Sequence, residues 1–386
     1  MSLSKRMPTK YDVFAKLIEH APSSANDLFL KTPVYAHLRS LIKEELIKKE
    51  KKVYVPIKNP KSELIVKIIK YCLKNGLEYN KILSKNVHTV MNALFASAPL
   101  LRPDSIKGNK ENTEIVSYLE KHQFMLIYKK RPRMGIVVKH QLFENIKELH
   151  HKATEIKTST YVSLIEEVSK LESKVINPFD GNIFAFLSGS AQLEGSTITV
   201  GETRDMLMHD IYPDKPKKDI QMVKNLNEAL HYILEHKEEE ITPEHIKEMN
   251  KIVLFSLHRH AGKYKITHNK IQGNPHFKTI SPEKIPQAMN YFCQELKNIT
   301  NKRQCLKKIG FIHNELQHIH PFADGNSRTT RMILNWVLLK NKIPLLVIKM
   351  GCFDEYMQLT KLGVKRDDAK LTALSHHILI HENLIN

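Results

Sequence analysis

The chain has 386 residues, 41% of them hydrophobic and 26% charged, an ordinary globular composition with length enough for two or three domains. No apolar run reaches the roughly 18 residues that span a bilayer, and Met1 to Lys10 is polar, with no apolar h-region of a secretion signal behind it. The four cysteines, Cys72, Cys293, Cys305 and Cys352, form no CxxC pair, which points away from a disulfide framework or zinc ribbon and toward a reducing, cytoplasmic setting.

The net charge of +19 is unevenly spread. Residues 1–150 carry 28 Lys+Arg against 14 Asp+Glu, and the remaining 236 residues carry 32 against 27. Such an excess at one end suggests a polyanion partner for that end, most often nucleic acid, with a merely soluble basic surface as the alternative.

In chain order, "YDVFAKLIEH" puts Val13, Phe14, Leu17 and Ile18 on one helical face. "SSANDLFL" opens with Ser23 and Ser24 as N-cap residues. Thr32 before Pro33 predicts the cap and first position of a third helix with the stripe Val34, Leu38, Leu41, Ile42. Two short strands, Leu46 to Lys49 and Val53 to Val55, follow around a lysine-rich turn. This order resembles a winged helix-turn-helix, an α+β domain placed at residues 1–57. The resemblance implies DNA binding, with Tyr35, His37, Arg39 and Lys43 facing a groove and Lys48, Lys49, Lys51 and Lys52 on the phosphate backbone. Winged helices also dock proteins, and that alternative stays open.

Residues 58–140 read as helices followed by "FMLIYKKRPRMGIVV", a second hairpin with Lys129, Lys130, Arg131 and Arg133 at its turn, without an assigned role. Residues 141–174 read as one long, mostly polar connecting helix. "SGSAQLEGSTIT" reads by itself as a helix end stopped by Gly195.

"LKKIGFIHNELQHI" has Leu306, Ile309, Ile312 and Leu316 at helical spacing, and Pro321 ends that helix. Met332, Ile333, Trp336 and Val337 mark the buried face of the next. "IHPFADGNSRTTR" is therefore a loop that ends on a helix N-terminus, where backbone N–H groups and the helix dipole favour an anion. Gly325 lets successive amides converge, and Arg328 and Arg331 lie on nearly one side of the helix as two charged forks. Asp324 offers a hard oxygen to Mg2+, and His320 titrates near neutrality, suited to taking a proton from an attacking hydroxyl. Two histidine groups, His313/His318/His320 and His376/His377/His381, lack convincing zinc spacing.

His320, Pro321, Phe322, Asp324, Gly325, Asn326, Arg328 and Arg331 match the signature H-P-F-x-[D/E]-G-N-G-R-x-x-R, and on these residues the segment resembles the Fic family. Ser327 stands where the second glycine is usual. The resemblance implies a mainly α fold, an all-helical core at residues 175–386 with a small β-hairpin flap, and protein AMPylation: AMP moves from ATP to a Ser, Thr or Tyr hydroxyl. It implies His320 as general base and Asp324 as the Mg2+ ligand. ATP and its phosphates would be held by Gly325, Asn326, Ser327, Arg328 and Arg331, with Asn335 contacting nucleotide or capping the packing. Ser190-x-x-x-Glu194-Gly195 then resembles the family's inhibition motif, on a helix near 188–195, its glutamate pairing with Arg331 to obstruct the γ-phosphate. "HAGKYKITHNKIQGNPHFKTISPEKIP" resembles the flap region, with Lys265 replacing the commoner arginine and Lys270, Ile271, Gly273, Thr279 and Ile280 aligning the target by strand pairing.

The expected partners are ATP, a protein bearing a hydroxyl side chain, DNA at the N-terminal end and a second copy of the chain in a homo-oligomer, with no membrane. Rival readings are a deAMPylase or another nucleotide or phosphate transferase on the same fold, and a DNA-binding regulator that only senses nucleotide.

Overall fold

The computed structural model describes residues 7–28, 34–96, 110–150, 161–173, 180–268, 279–360 and 366–385. The chain divides into two compact units, the first drawn from residues 1–96, 106–116 and 141–156 and the second from 97–105, 117–140 and 157–386.

In the first unit, α1 (Lys10–His20) starts at a capping box between Thr9 and Asp12, and is followed by α2 (Ala25–Leu28) and α3 (Tyr35–Lys43). Val13, Phe14 and Leu17 are buried with Val34, Leu38 and Leu41, while Ile42 is 40% exposed, so the apolar stripe of α3 is narrower than its spacing suggests. The N-cap of α3 is Val34; the expected cap and first position, Thr32 and Pro33, lie outside the described residues. Strands β1 (Ile47–Glu50) and β2 (Val53–Pro56) pair antiparallel from Ile47↔Pro56 to Glu50↔Val53, and Ser23 bridges Tyr54. Leu46 falls just outside the hairpin because its N–H returns to Leu41 O behind α3. Then come α4 (Pro60–Lys74), opened by Asn59 and Pro60, α5 (Tyr79–Ile82), α6 (Lys85–Ala96), α7 (Lys110–Lys121) and α8 (Gln141–Leu149).

Residues 58–140 are not one region. Hairpin β3 (Met125–Lys130) and β4 (Arg133–Val137) belongs to the second unit, where β3 packs on the C-terminal helix (Asp368–Ile385). Met125, Leu126 and Ile127 are buried in succession, so both faces of β3 are covered. The connecting helix expected over 141–174 is also broken: α8 ends at Leu149, residues 161–164 are not helical, and α9 is only Ile165–Ser169. The reason is tertiary. Leu164 N–H donates to His376 Nδ1 on the C-terminal helix, a bond that competes with helix continuation.

The remaining helices are α10 (Gly181–Gln192), α11 (Val200–His209), α12 (Lys217–Glu235), α13 (Pro243–Val253), α14 (Ile285–Lys297), α15 (Lys302–Ile319), α16 (Asn326–Lys340), α17 (Phe353–Thr360) and α18 (Asp368–Ile385). The molecule is thus mainly helical. Helix α16 is buried all round from Arg328 to Leu339 and packs on α15, α13, α12 and α10, which makes it the axis of the unit. Helix α18 is buried from Leu371 to Glu382. Its histidines brace the core: His381 Nδ1 accepts from Ile127 N while its Nε2–H donates to Glu120 O, and His376 Nε2–H donates to Leu306 O. Among the described residues no helix is long and apolar enough to cross a membrane.

Candidate functional site

Helix α15 stops at His320, which adopts a left-handed conformation (φ 49°, ψ 58°) because the following Pro321 disfavours the right-handed helix at the residue before it. The loop is then stitched from three sides. Tyr264 and Phe322 form an antiparallel bridge, and Lys265 N donates to Pro321 O at 2.9 Å. Phe322 is buried, an anchor for the loop. Asn326 Oδ1 accepts from Phe322 N at 2.9 Å while its Nδ2 donates back to Phe322 O at 2.8 Å.

From α13, Asn250 Nδ2 donates to Asp324 O and to Thr329 Oγ1, both at 3.1 Å, while its Oδ1 accepts from Gly262 N at 2.9 Å. A single buried amide therefore holds the loop, the first turn of α16 and the Gly262 turn together. Gly325, at φ 73°, is the N-cap of α16; a β-carbon there would sit 2.9 Å from Leu254 Cγ.

Gly325 supplies no side-chain cap, so the first-turn amides of α16 have no such acceptor. Ser327 lies half-buried in regular right-handed helix, where a β-carbon is accommodated; the second glycine of the usual signature is not required by backbone conformation at this position. Asp324 is 52% exposed at its side chain, with Oδ1 accepting from Gly325 N at 2.6 Å.

The two arginines are buried. Arg331 donates from Nε to Ser190 Oγ (2.9 Å), and from one terminal nitrogen to Ser190 O (3.0 Å) and Glu194 Oε1 (2.7 Å). The same carboxylate reaches toward Arg328, whose Nε is 3.9 Å from Glu194 Oε2 and has no hydrogen-bond partner. Among the described residues the one other ionic contact of Arg328 is Asp324, at 3.5 Å. A guanidinium that is 5% exposed and incompletely paired is costly unless an anion can approach it. Gly195, at φ 91°, ends the turn that carries Glu194. Beside the ion pair a small cavity is lined by Ser190, Leu193, Arg331, Leu334 and Tyr356.

His320 is half-buried, and burial, then the nearby positive charge of Lys265, push its imidazole down to about 4. It is neutral near pH 7. Its Nδ1 faces Gln317 O at 3.3 Å and so carries the proton, which leaves Nε2 as the acceptor. Burial also pushes the Lys265 amine down to about 8, and its Nζ donates to Thr279 Oγ1 at 2.7 Å.

The sequence placed Asn326 among the phosphate-holding residues and left Asn335 to contact nucleotide or cap the packing; the side chains of both form hydrogen bonds inside the protein. Asn335 Nδ2 donates to Arg331 O and its Oδ1 accepts from Leu346 N at 2.7 Å, so it fixes the chain packed against α16. Thr279 is buried under Lys265, and Ile280 N donates to His318 O at 3.4 Å; Lys270, Ile271 and Gly273 lie outside the described residues. Asn250 and Tyr356 escape sequence reasoning, since each lies in a different helix and joins the site only through folding.

Residues 240–338 match the model of the Fic/DOC family, and this part of the chain is a Fic domain. The chain is 31% identical over 183 residues to the protein adenylyltransferase Fic of Nematostella vectensis, covering 45% of this chain and 42% of that protein. It is 27% identical over 200 residues to the protein adenylyltransferase fic-1 of Caenorhabditis elegans, covering 49% and 39%. A solved structure of a C. elegans Fic-1 fragment is 16% identical, with a TM-score of 0.43 over 97% of this chain and 94% of that one. The chain spans about two fifths of the length of these curated relatives.

Proposed function

We propose that the chain transfers AMP from ATP to a Ser, Thr or Tyr hydroxyl of a protein substrate, and that Glu194 holds this activity in check. The observation that carries the reading is the pair of buried arginines, Arg328 and Arg331, which share one carboxylate at the uncapped N-terminus of α16. Phosphate oxygens of ATP would replace Glu194 on both guanidinium groups. In the transfer step the substrate hydroxyl oxygen attacks the α-phosphorus, a new P–O bond forms, the bond to the bridging α,β-oxygen breaks, and pyrophosphate leaves. His320 Nε2, unprotonated near pH 7, takes the hydroxyl proton.

Asp324 suits a magnesium ion: it is a half-exposed carboxylate beside the phosphate-binding turn. A hard carboxylate oxygen there would hold the ion. When bound, the ion would neutralise phosphate charge. Thr279 and Ile280, held by Lys265 and His318, tie the end of the flap segment to the loop, in keeping with a role in docking the target.

The test is mass spectrometry of Glu194→Gly beside the same variant carrying His320→Ala. The single variant should place an AMP adduct on itself or on lysate proteins, and the double variant should lose it by about 10²- to 10⁴-fold. No adduct from the single variant would overturn the reading. Label from α- rather than γ-labelled ATP separates AMP transfer from phosphate transfer, and loss of AMP from a premodified protein would identify the reverse reaction.

A second reading concerns the N-terminal end. Tyr35 is 54% exposed, and Arg39, Lys43, Lys51 and Lys52 are exposed on α3 and the hairpin turn, while Lys48 pairs with Glu50. This surface favours DNA as a partner. Binding should strengthen as salt falls and weaken in Lys51→Glu/Lys52→Glu; no binding at low salt would sink it.

A further inference from the structure

Helix α10 carries a glycine, Gly189, in its interior, where that residue weakens a helix. A close approach accounts for it: a β-carbon at Gly189 would lie 2.4 Å from Ile348 O. That is about 1 Å inside ordinary carbon–oxygen contact. Gly189 immediately precedes Ser190, whose Oγ and O both accept from Arg331, and lies shortly before Glu194, whose carboxylate completes the set.

The carbonyl that Gly189 meets is firmly held. Residues 346–349 belong to no helix or strand, yet they are fixed from three sides. Leu346 N donates to Asn335 Oδ1 on α16 at 2.7 Å. Gln123, fully buried in the turn before β3, brackets the segment: its Nε2 donates to Val347 O and its Oε1 accepts from Lys349 N, both at 2.8 Å. The same Nε2 donates to Glu382 Oε1 on α18 at 2.9 Å, and Lys349 Nζ donates to both Glu382 oxygens, at 2.8 and 2.6 Å. Ile348 O is therefore a stop against which α10 rests.

A shift of α10 would reach Glu194 rather than be absorbed on the way. Ser188 Oγ and Gln192 Nε2 both donate to Ile198 O, at 3.1 and 2.8 Å, so the end of α10 and the turn that carries Glu194 move as one piece. Ser190, Arg331, Leu346 and Ile348 line one cavity, and Asn335 holds Leu346 on α16. The stop and Arg331 thus lie on the same side of α10, and lifting the helix from one lifts it from the other.

We propose that Gly189 is the positioning residue of the inhibitory carboxylate: without a β-carbon, α10 seats on Ile348 O, and that seat sets Glu194 within bonding distance of Arg331. The inference rests on the nucleotide site and the role of Glu194 proposed above. Its consequence is that inhibition can be released from behind, with both charged groups intact.

The experiment is calorimetry of ATP on the full chain as wild type, Gly189→Ala, Glu194→Gly and the double variant. The added β-carbon should displace α10, stretch the Glu194–Arg331 contact and tighten ATP about five- to thirtyfold, the range for losing a competing charge-assisted hydrogen bond. In the Glu194→Gly background the same substitution should change ATP affinity by less than about twofold, because no carboxylate is left to displace. Gln123→Ala frees Val347 and Lys349 without altering α10, and covers the case in which alanine at position 189 prevents folding. It should tighten ATP by about two- to fivefold, again only when Glu194 is present.

A gain in Glu194→Gly that neither Gly189→Ala nor Gln123→Ala shares would overturn this inference alone. Weaker ATP binding both with and without Glu194 would show that Gly189 only supports packing, which also overturns it. No gain in Glu194→Gly itself would overturn the inhibitory reading, and this inference with it.

Discussion

Glu194 sits between two demands that a substitution series can separate. In the folded chain its Oε1 accepts from Arg331 at 2.7 Å, and its side chain is 23% exposed against 5% for Arg331, so the pair is largely shielded from salt. Glu194→Gln keeps an acceptor of the same shape and removes the charge. A charge-assisted bond falls to a neutral one, a loss of about 1–2 kcal/mol, and ATP affinity should rise about 5- to 30-fold because ATP must displace this contact. Glu194→Gly removes the acceptor altogether. A broken buried pair costs about 3–5 kcal/mol when nothing else compensates. Arg331 keeps both Ser190 oxygens, so the loss falls at or below the bottom of that range, about 2–3 kcal/mol, or roughly 30- to 150-fold in affinity.

The same series should invert in thermal melts. Without nucleotide the order of stability is wild type, Gln, Gly, since Arg331 progressively loses its counter-charge. With saturating ATP and Mg2+ the variants should recover the most, as ligand binding adds to the free energy of the native state. The assays are isothermal titration calorimetry with ATP and differential scanning calorimetry with and without it, at two salt concentrations. If both variants bind ATP no better than wild type, Glu194 does not compete with phosphate and the argument fails, whatever the melting temperatures show.

Three further outcomes follow from the geometry. Asn250→Ala leaves Gly262 N, Asp324 O and Thr329 Oγ1 without their shared partner and should cost about 2–4 kcal/mol. It should also cut AMP transfer in the Glu194→Gly background more than the melting shift explains, and proportionate effects would contradict its role in holding the loop. Gly325→Ala meets both a left-handed φ and the Leu254 side chain, whereas Gly195→Ala meets a left-handed φ in open space. The first should destabilise by about 2–3 kcal/mol and the second by about 1–2 kcal/mol, measured by urea denaturation; equal losses would refute the packing component. Burial pushes His313, His377 and His381 down to about 4, against about 6.5 when unfolded. The folded state then binds fewer protons than the unfolded one between these values. Stability present above about pH 6.5 is lost as pH falls toward 4, by up to about 1.4 kcal/mol per pH unit for each histidine. A melting temperature flat from pH 7 to 5 would contradict this.

The loop between α15 and α16 was legible because its residues are local: His320, Asp324, Gly325, Arg328 and Arg331 fall within twelve residues between two helical periodicities. The helix order of the N-terminal end was legible for the same reason, since capping residues and apolar spacing act within a few turns. Elements whose fate depends on distant partners were not. The segment 141–174 has helical composition, but His376 on α18 takes the Leu164 N–H and the helix is broken there. A linear motif likewise does not show that the Asn326 amide closes on Phe322, or that Asn335, of the two roles open to it, holds Leu346 N.

By itself the sequence determined that a loop carrying a histidine and a carboxylate leads into a helix N-terminus with two arginines on its first turns, because loop, cap and dipole all come from contiguous residues. Only the tertiary structure decided which groups complete it. Glu194 stands 137 residues from Arg331 in the chain, and Ser190 stands 141 residues from it. Their pairing depends on how α10 packs against α16. Packing sets burial, and burial is what makes one carboxylate decisive.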